Sequence, residues 1–432
     1  MKNKKLNKIT SIFVILFFLI QGCTDGLKVN NPNNLLESDI ENFVGATGIA
    51  NGANGTVLQG IGYVYAPYEV ATDEVYWIGS RNAWDELDKG NISDPNNEFV
   101  DQAWPYITEG RWMSDKAISQ LETFRKAGTL INKGDLARSY IYGALVRIVI
   151  GETFDNFVYS NKTENGFPIG KNNMGKVFDE AVVLLDSAIS ISAGLTASVR
   201  DDYYKRSYGF KARAKHSKAV WESINNPEGT IKNEFVDVGS AEATQALAVM
   251  GTSDFKYKPD YKSVTLFNEL AWEIVGRSEL KIHVAPTDPI TKIRDARWVA
   301  DSADFVNKTA YSDRYSPMTF ISSREMHLII AESQIKNSNF PGAITSLNKI
   351  RAFTSGMTAI PTAMPNDSVK IMLKHERRVN TLLQGRRLND MYRWGIKDTK
   401  WLSNNASYTS SGRLLPITIR ERKANLNVTD ND

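Results

Sequence analysis

Between Asp135 and Val149 the apolar positions Leu136, Tyr140, Leu145, Ile148 and Val149 fall on one stripe at a spacing of 3.6 residues, which predicts an amphipathic helix. Two segments of the same kind follow, Val177 to Ile191 and about Asp201 to Trp221. The pattern returns from Arg324 to Arg351, where Met326-His327-Leu328-Ile329-Ile330-Ala331-Glu332 and Phe340-Pro341-Gly342-Ala343-Ile344 flank Asn337-Ser338-Asn339. That predicts two antiparallel helices with a turn at the Asn-Ser-Asn. Ala331 and Ala343 stand twelve apart, and Leu347 and Ile350 follow at plus four and plus seven, the small-and-apolar spacing of a tetratricopeptide helix pair. Ala181, Leu185 and Ala188 repeat the second half of it. A first helix starts behind Ser38 or Asp39, with Gly48, Gly52 and Gly55 at i, i+4, i+7. Each glycine costs about 1 kcal/mol of helix propensity relative to Ala, so the spacing predicts a face that another backbone approaches closely. Residues 60–106 and 225–320 carry no sustained period; the second contains Pro259, Pro286, Pro289 and Pro317. The expected fold is mainly α: tetratricopeptide-like helix pairs as a scaffold, with loop-rich insertions at about 60–106 and 225–320 that leave room for short β-hairpins.

The ends add a targeting reading. Lys2, Lys4, Lys5 and Lys8 precede the apolar run Ile12 to Ile20, the n-region and h-region of a secretory signal over residues 1–22. The run is too short to cross a bilayer, which takes about 20 apolar residues. Leu19-Ile20-Gln21-Gly22-Cys23 is similar to a bacterial lipobox, and Cys23 is the only cysteine of the chain. A lone thiol in an oxidising compartment has no disulfide partner, whereas lipidation accounts for both its position and its solitude. The Asn-rich stretch Asp25 to Ser38 suits an extended tether, so residues 23–38 are read as a lipidated tether and 39–432 as one domain. Removing the leader also changes the charge. The chain has 52 basic and 49 acidic residues, but four lysines belong to the leader, which leaves the mature chain near −1. No electrostatic case for nucleic acid survives.

Enzymatic signatures are sparse. His216, His283, His327 and His375 lack metal-ligand spacing. Gly166-Phe167-Pro168-Ile169-Gly170-Lys171 is one residue short of a phosphate loop and reads as a turn. The acidic doublets Asp73-Glu74 and Asp85-Glu86 are adjacent pairs, whereas a glycosidase needs carboxyls facing across a bond. The expectation is a non-enzyme with no metal and no cofactor. Tyr76, Trp77, Arg81 and Trp84 follow the first doublet with no amphipathic stripe to turn them inward. Flat aromatic faces stack on the C–H patches of sugars, and Arg, Asp and Asn bind the hydroxyls.

The C-terminal stretch runs His375-Glu376-Arg377-Arg378, Gly385-Arg386-Arg387, Asp390 and Arg393-Trp394-Gly395. On a helix either Arg386 or Arg387 reaches Asp390, with Trp394 on the same face, a staple for docking the last helices. With the lipobox, Asn30-Asn31-Pro32-Asn33, Ala71-Thr72-Asp73-Glu74, the Ala331-Glu332 helix pair ending in Leu347-Asn348-Lys349-Ile350-Arg351, and Leu415-Pro416-Ile417, all in order, the chain resembles the SusD/RagB family of outer-membrane nutrient-binding lipoproteins. It departs from that pattern at Asn380 and Gln384, where acidic residues are common, and in its closing Val428-Thr429-Asp430-Asn431-Asp432. The resemblance implies a single SusD-like domain anchored in the outer membrane and facing outward, a glycan or other oligomeric nutrient as ligand, and a TonB-dependent transporter as partner. It implies ligand contacts from the loop after Asp73-Glu74 and from the irregular stretch holding Trp272, Trp298, Tyr311 and Tyr315. Trp77, Trp84 and Trp298 are the expected platform, with Tyr76, Arg81 and Tyr311 beside it. Two other readings stay open: a helical scaffold without a small ligand, which expects Trp77 and Trp84 to be buried, and a surface glycoside hydrolase, which expects two carboxyls roughly 5–9.5 Å apart across a cleft.

Overall fold

The computed structural model describes residues 42–161, 163–225, 231–261, 266–410 and 412–429. The signal, Cys23, the whole tether and the expected helix start behind Ser38 or Asp39 lie outside the described residues.

The first helix, α1 (Ala46–Val70), is the axis of the fold. From Ile61 to Val70 every residue is buried, on all sides of the helix. A helix with no solvent face has no polar stripe, which is why residues 60–70 read as irregular. Helix α2 (Glu98–Lys126) crosses it; Asn97 caps its first turn by accepting from the N–H groups of Phe99 and Val100, and Glu98 and Arg125 suit the two ends of the dipole. The expected close approach of backbones exists, but not where the sequence placed it. A Cβ on Gly52 or Gly55 would meet nothing within 4 Å, whereas one on Gly60 would lie 2.7 Å from the Tyr106 carbonyl of α2, and one on Gly110 3.0 Å from that of Thr56.

Helices α3 (Lys133–Thr153), α4 (Gly175–Ser192) and α5 (Ala197–Ile224) pack in succession, and α6 (Ser240–Met250) lies on α5. Leu136, Leu145, Ile148 and Val149 of α3 and Ala181, Leu185 and Ala188 of α4 are fully buried, as their spacing predicts. The expected pair is α8 (Ser323–Lys336) and α9 (Phe340–Ala352), joined by a turn in which Asn339 caps the Gly342 N–H. Ala331, Ala343, Leu347 and Ile350 share its core with Val369 and Leu373 of α10 (Asn366–Asn380). Residues 225–320 are mostly irregular but hold α6 and α7 (Ala296–Phe305). None of the described helices is long and apolar enough to cross a membrane.

Among the described residues the strands do not form hairpins. β1 (Val75–Trp77) pairs antiparallel with β3 (Leu280–Ile282), and β2 (Lys256–Tyr257) with β4 (Ile321–Ser322). The first ladder sets Val75 opposite Ile282 and joins the two aperiodic stretches.

The C-terminal motif is a buried ionic lattice around α11 (Arg387–Arg393). Its pairs differ from those read off the helix spacing, because Arg386 and Arg387 stand at the start of α11 and point to other elements. Arg386 reaches Glu325 of α8 at 3.0 Å, and Arg387 holds Asp73 beyond α1 at 2.5 and 2.8 Å. Asp390 is taken instead by Arg377 (2.9 Å) and Arg393 (2.6 Å). Arg393 also grips Glu332 and lies 4.5 Å over Trp394. The staple is real, and it ties α1, α8 and α10 together from the inside.

Candidate ligand-binding surface

Because side chains alternate along a strand, Tyr76 and Trp77 of β1 leave opposite faces. The Tyr76 ring lies 4.5 Å from that of His283 and 4.5 Å from Lys400 Nζ, and Lys400 pairs with Asp88 at 2.7 Å. Trp77 is half-buried against the core. Beyond β1 the chain wraps around Glu279, whose carboxylate accepts from the N–H groups of Ser80 (2.9 Å) and Arg81 (3.1 Å). Burial alone would raise that carboxyl, but these hydrogen bonds hold it below its ordinary pKa.

Two members of the expected platform are not available to a ligand. Trp84 is 1% exposed: it sits on the short helix Asn82–Asp88, whose inner face of Trp84, Leu87 and Asp88 turns toward α2, and its ring stacks 3.6 Å from Phe99. Trp298 is also 1% exposed; its Nε1 donates to the His283 carbonyl at 2.9 Å, and Arg378 lies 5.5 Å over the ring. Tyr311 is half-buried and donates to Asp304 at 3.2 Å. Neither Trp84 nor Trp298 can offer a ring face, so the three-tryptophan platform is corrected.

What the fold assembles instead is a two-layer shelf, in which a buried or pinned ring carries a half-exposed group. Arg81 lies 4.1 Å over Phe99, with Trp84 on the other face of that ring. Tyr106 of α2 stacks on buried Tyr63 of α1 at 3.7 Å and 5°. Arg314 lies 3.7 Å over Trp272 and 5.2 Å over Phe267. Buried Asn268 brings the last pair to the other two: its amide donates to the Ser316 carbonyl at 2.7 Å, and its own N–H donates to the Arg314 carbonyl at 2.8 Å. Gly62 of α1 permits this, since a Cβ there would meet the Asn268 Cα at 3.2 Å. Trp272 opens a π-helical turn (Trp272–Gly276), a wide turn often found at functional positions. Gly276 gives the ring room, because a Cβ there would lie 2.1 Å from it.

Two carboxyls join the three stacks. Glu269 lies beside the Tyr63 hydroxyl, and Glu273, 1% exposed, stands 3.6 Å from Arg81. Burial and the neighbouring Glu269 push the Glu273 carboxyl up to about 7, and burial raises Glu269. The shelf therefore combines flat faces, guanidinium donors and two carboxyls. The sequence singled out Arg81 and noted Trp272, but not Tyr63, Tyr106 or Arg314. Those three lie on separate elements with nothing in their local pattern to group them.

The acidic doublets are spent on structure. Asp73 is held by Arg387 and Arg378, Glu74 accepts the Leu383 N–H at 2.7 Å, and Asp85 pairs with Lys89 at 2.5 Å. Asp288, Asp295 and His375 come within 4.8 Å of one another, but Arg351 and Arg297 occupy the two carboxylates.

Residues 295–431 match the sequence model of the SusD family. No curated protein matches the chain. Among solved structures, the chain is similar to a SusD homolog from Bacteroides thetaiotaomicron at 14% identity, covering 91% of this chain and 98% of that one with a TM-score of 0.64. A SusD superfamily protein from the same organism aligns at 13% identity over 90% and 99% of the two chains, with a TM-score of 0.62. A SusD-like carbohydrate binding protein from Bacteroides vulgatus aligns at 10% identity over 90% and 98%, with a TM-score of 0.58. At such identities the structural likeness carries the fold, and the match over residues 295–431 covers the segment that builds the ionic lattice. The C-terminal segment thus matches the SusD family model, and the chain as a whole shares the fold of these SusD-like structures.

Proposed function

We propose that this protein is a non-catalytic receptor for a glycan, which it binds on the shelf of Arg81, Tyr106 and Arg314, flanked by Tyr76 and Trp77. The observation that carries the reading is the layering: half-exposed groups with flat faces rest on rings that the core immobilises, so a sugar meets a surface already in place. A likeness in fold to a carbohydrate binding protein supports the ligand class. Retention at the outer membrane through lipidated Cys23, facing outward, and delivery to a TonB-dependent transporter complete the proposal. A tethered receptor would then recapture ligand as an effectively intramolecular event. Trp84 and Trp298 act from beneath, by holding Phe99 and the β3 end in position.

A panel of oligosaccharides titrated by calorimetry tests this. At least one glycan binds, and Tyr106→Ala and Arg81→Ala each weaken it about tenfold or more with unchanged circular dichroism. Binding that both variants retain in full refutes the assignment of this surface. The scaffold reading gains if no glycan or peptide binds at all.

A further inference from the structure

Among the described residues, every arginine that is not exposed has a carboxylate or carbonyl partner for its guanidinium, with one exception. The buried members of that set pair with Glu152, Glu325, Glu332, Glu376 and their like. Half-buried Arg81 has Glu98 at 2.8 Å, and Arg422 has the Ile417 carbonyl at 2.9 Å. Arg314 is the exception. It is half-buried, it lies flat on Trp272, and no carboxylate stands within 4.0 Å of it. An aromatic face compensates a cation by about 0.5–2 kcal/mol and uses none of its five N–H donors. A fork of donors held flat, partly desolvated and unpaired is the shape that receives a carboxylate or a sulfate in bidentate fashion.

Its setting points the same way. The Arg277 N–H donates to the Trp272 carbonyl at 2.8 Å, Arg81 stands 3.6 Å from Glu273 of the same turn, and Arg314 lies on Trp272, so three arginines border one corner of the shelf. Arg277 is exposed at the end of the π-helical turn and has no carboxylate within ion-pair distance. The two acids that could neutralise the corner, Glu269 and Glu273, are the ones that burial holds toward the protonated form.

We propose that the ligand is an acidic glycan, whose carboxylate or sulfate is received by Arg314 with Arg277 at its side. This rests on the glycan reading above and narrows it. The full chain is titrated with a galacturonic acid hexamer, a sulfated chondroitin hexasaccharide, and neutral maltohexaose and xylohexaose, at low and at about 300 mM salt. The expected result is binding of one acidic probe that weakens at least threefold with salt, because screening acts on charge pairs near the surface. Arg314→Gln then loses at least tenfold in affinity, and Arg314→Lys recovers part of it. Which acidic probe binds separates carboxylate from sulfate. If neutral probes bind and acidic ones do not, or Arg314→Gln binds the acidic probe as well as wild type, the acidic ligand is refuted while the glycan receptor stands. If none of the four probes nor any other oligosaccharide binds, both fall. Should Arg314→Gln fail to fold, the salt dependence of wild type and Arg277→Gln decide by the same criteria.

Discussion

Glu332→Gln keeps the size of the side chain and removes one charge from the ionic lattice. Glu332 is 0% exposed and accepts from both terminal nitrogens of Arg393, from His216 at 3.0 Å and from the Val236 N–H at 3.0 Å. Arg393 is equally buried and shares Asp390 with Arg377, so two cations balance two anions. The substitution leaves one buried positive charge unmatched and sets an amide donor against guanidinium donors. Breaking a buried pair from one side costs about 3–5 kcal/mol. The entropy of unfolding is about 2.1 cal/mol/K per residue, or about 0.8 kcal/mol/K for a chain near 400 residues, so the melting temperature falls by about 4–6 °C. Differential scanning calorimetry reads this directly. The control is Glu234→Gln, whose pair with Lys374 lies at the surface with the Glu234 side chain 48% exposed; it shifts the midpoint by less than about 1 °C. If Glu332→Gln moves it no more than the control, the lattice does not hold the helices as described.

Two buried carboxyls predict a pH dependence of opposite sign to ordinary acid unfolding. Glu69 accepts the Gly385 N–H and Glu74 the Leu383 N–H, and their remaining oxygens are buried without another partner, in a position to share a proton. Burial raises both, Glu69 to about 7 and Glu74 well above its ordinary value. The folded chain thus holds a proton that the unfolded chain releases near 4.5, and this contribution, complete below about 4.5, is lost as pH rises through about 7. Glu74→Gln should flatten that part of a stability profile measured in urea; an unchanged slope refutes the shared proton. Gly60→Ala forces a Cβ against the α2 backbone and should cost about 1–3 kcal/mol. Gly52→Ala has open space and should gain about 0.5–1 kcal/mol, so equal effects would contradict the helix crossing. Cys23→Ser should release the protein from membranes on washing, and retention would refute the anchor.

The parts of the fold legible in the sequence are mostly those with one wet face. Helix α3, though buried on every side from Ile141 to Thr153, keeps an aliphatic repeat, and α4 and α9 show in the periodicity because one side of each packs and the other meets water. The second half of α1 does not, since Tyr63, Val64, Tyr65 and Tyr68 are all buried, and a ring of aromatics without a polar side reads as a loop. The same blindness misplaced Trp84: its helix of seven residues is too short to establish a period, although Trp84 and Leu87 at i, i+3 mark its inner face. The staple was legible as a motif but not as a set of pairs, since Arg386 and Arg387 find their acids on α8 and beyond α1 rather than one turn along. The shelf was half legible. Arg81 drew attention by its neighbours, whereas Arg314 matters only because Asn268 brings it beside α1, a contact spanning about 250 residues of chain.

The central claim is the location of the ligand, and hydrogen exchange with and without a bound oligosaccharide tests it most directly. The account predicts slowed exchange in residues 76–82, around Tyr106, and in 267–277 and 312–316, with little change in α9 and α10. Protection confined to another surface, such as the groove of about 640 Å³ between Trp221 and Phe235, would contradict it.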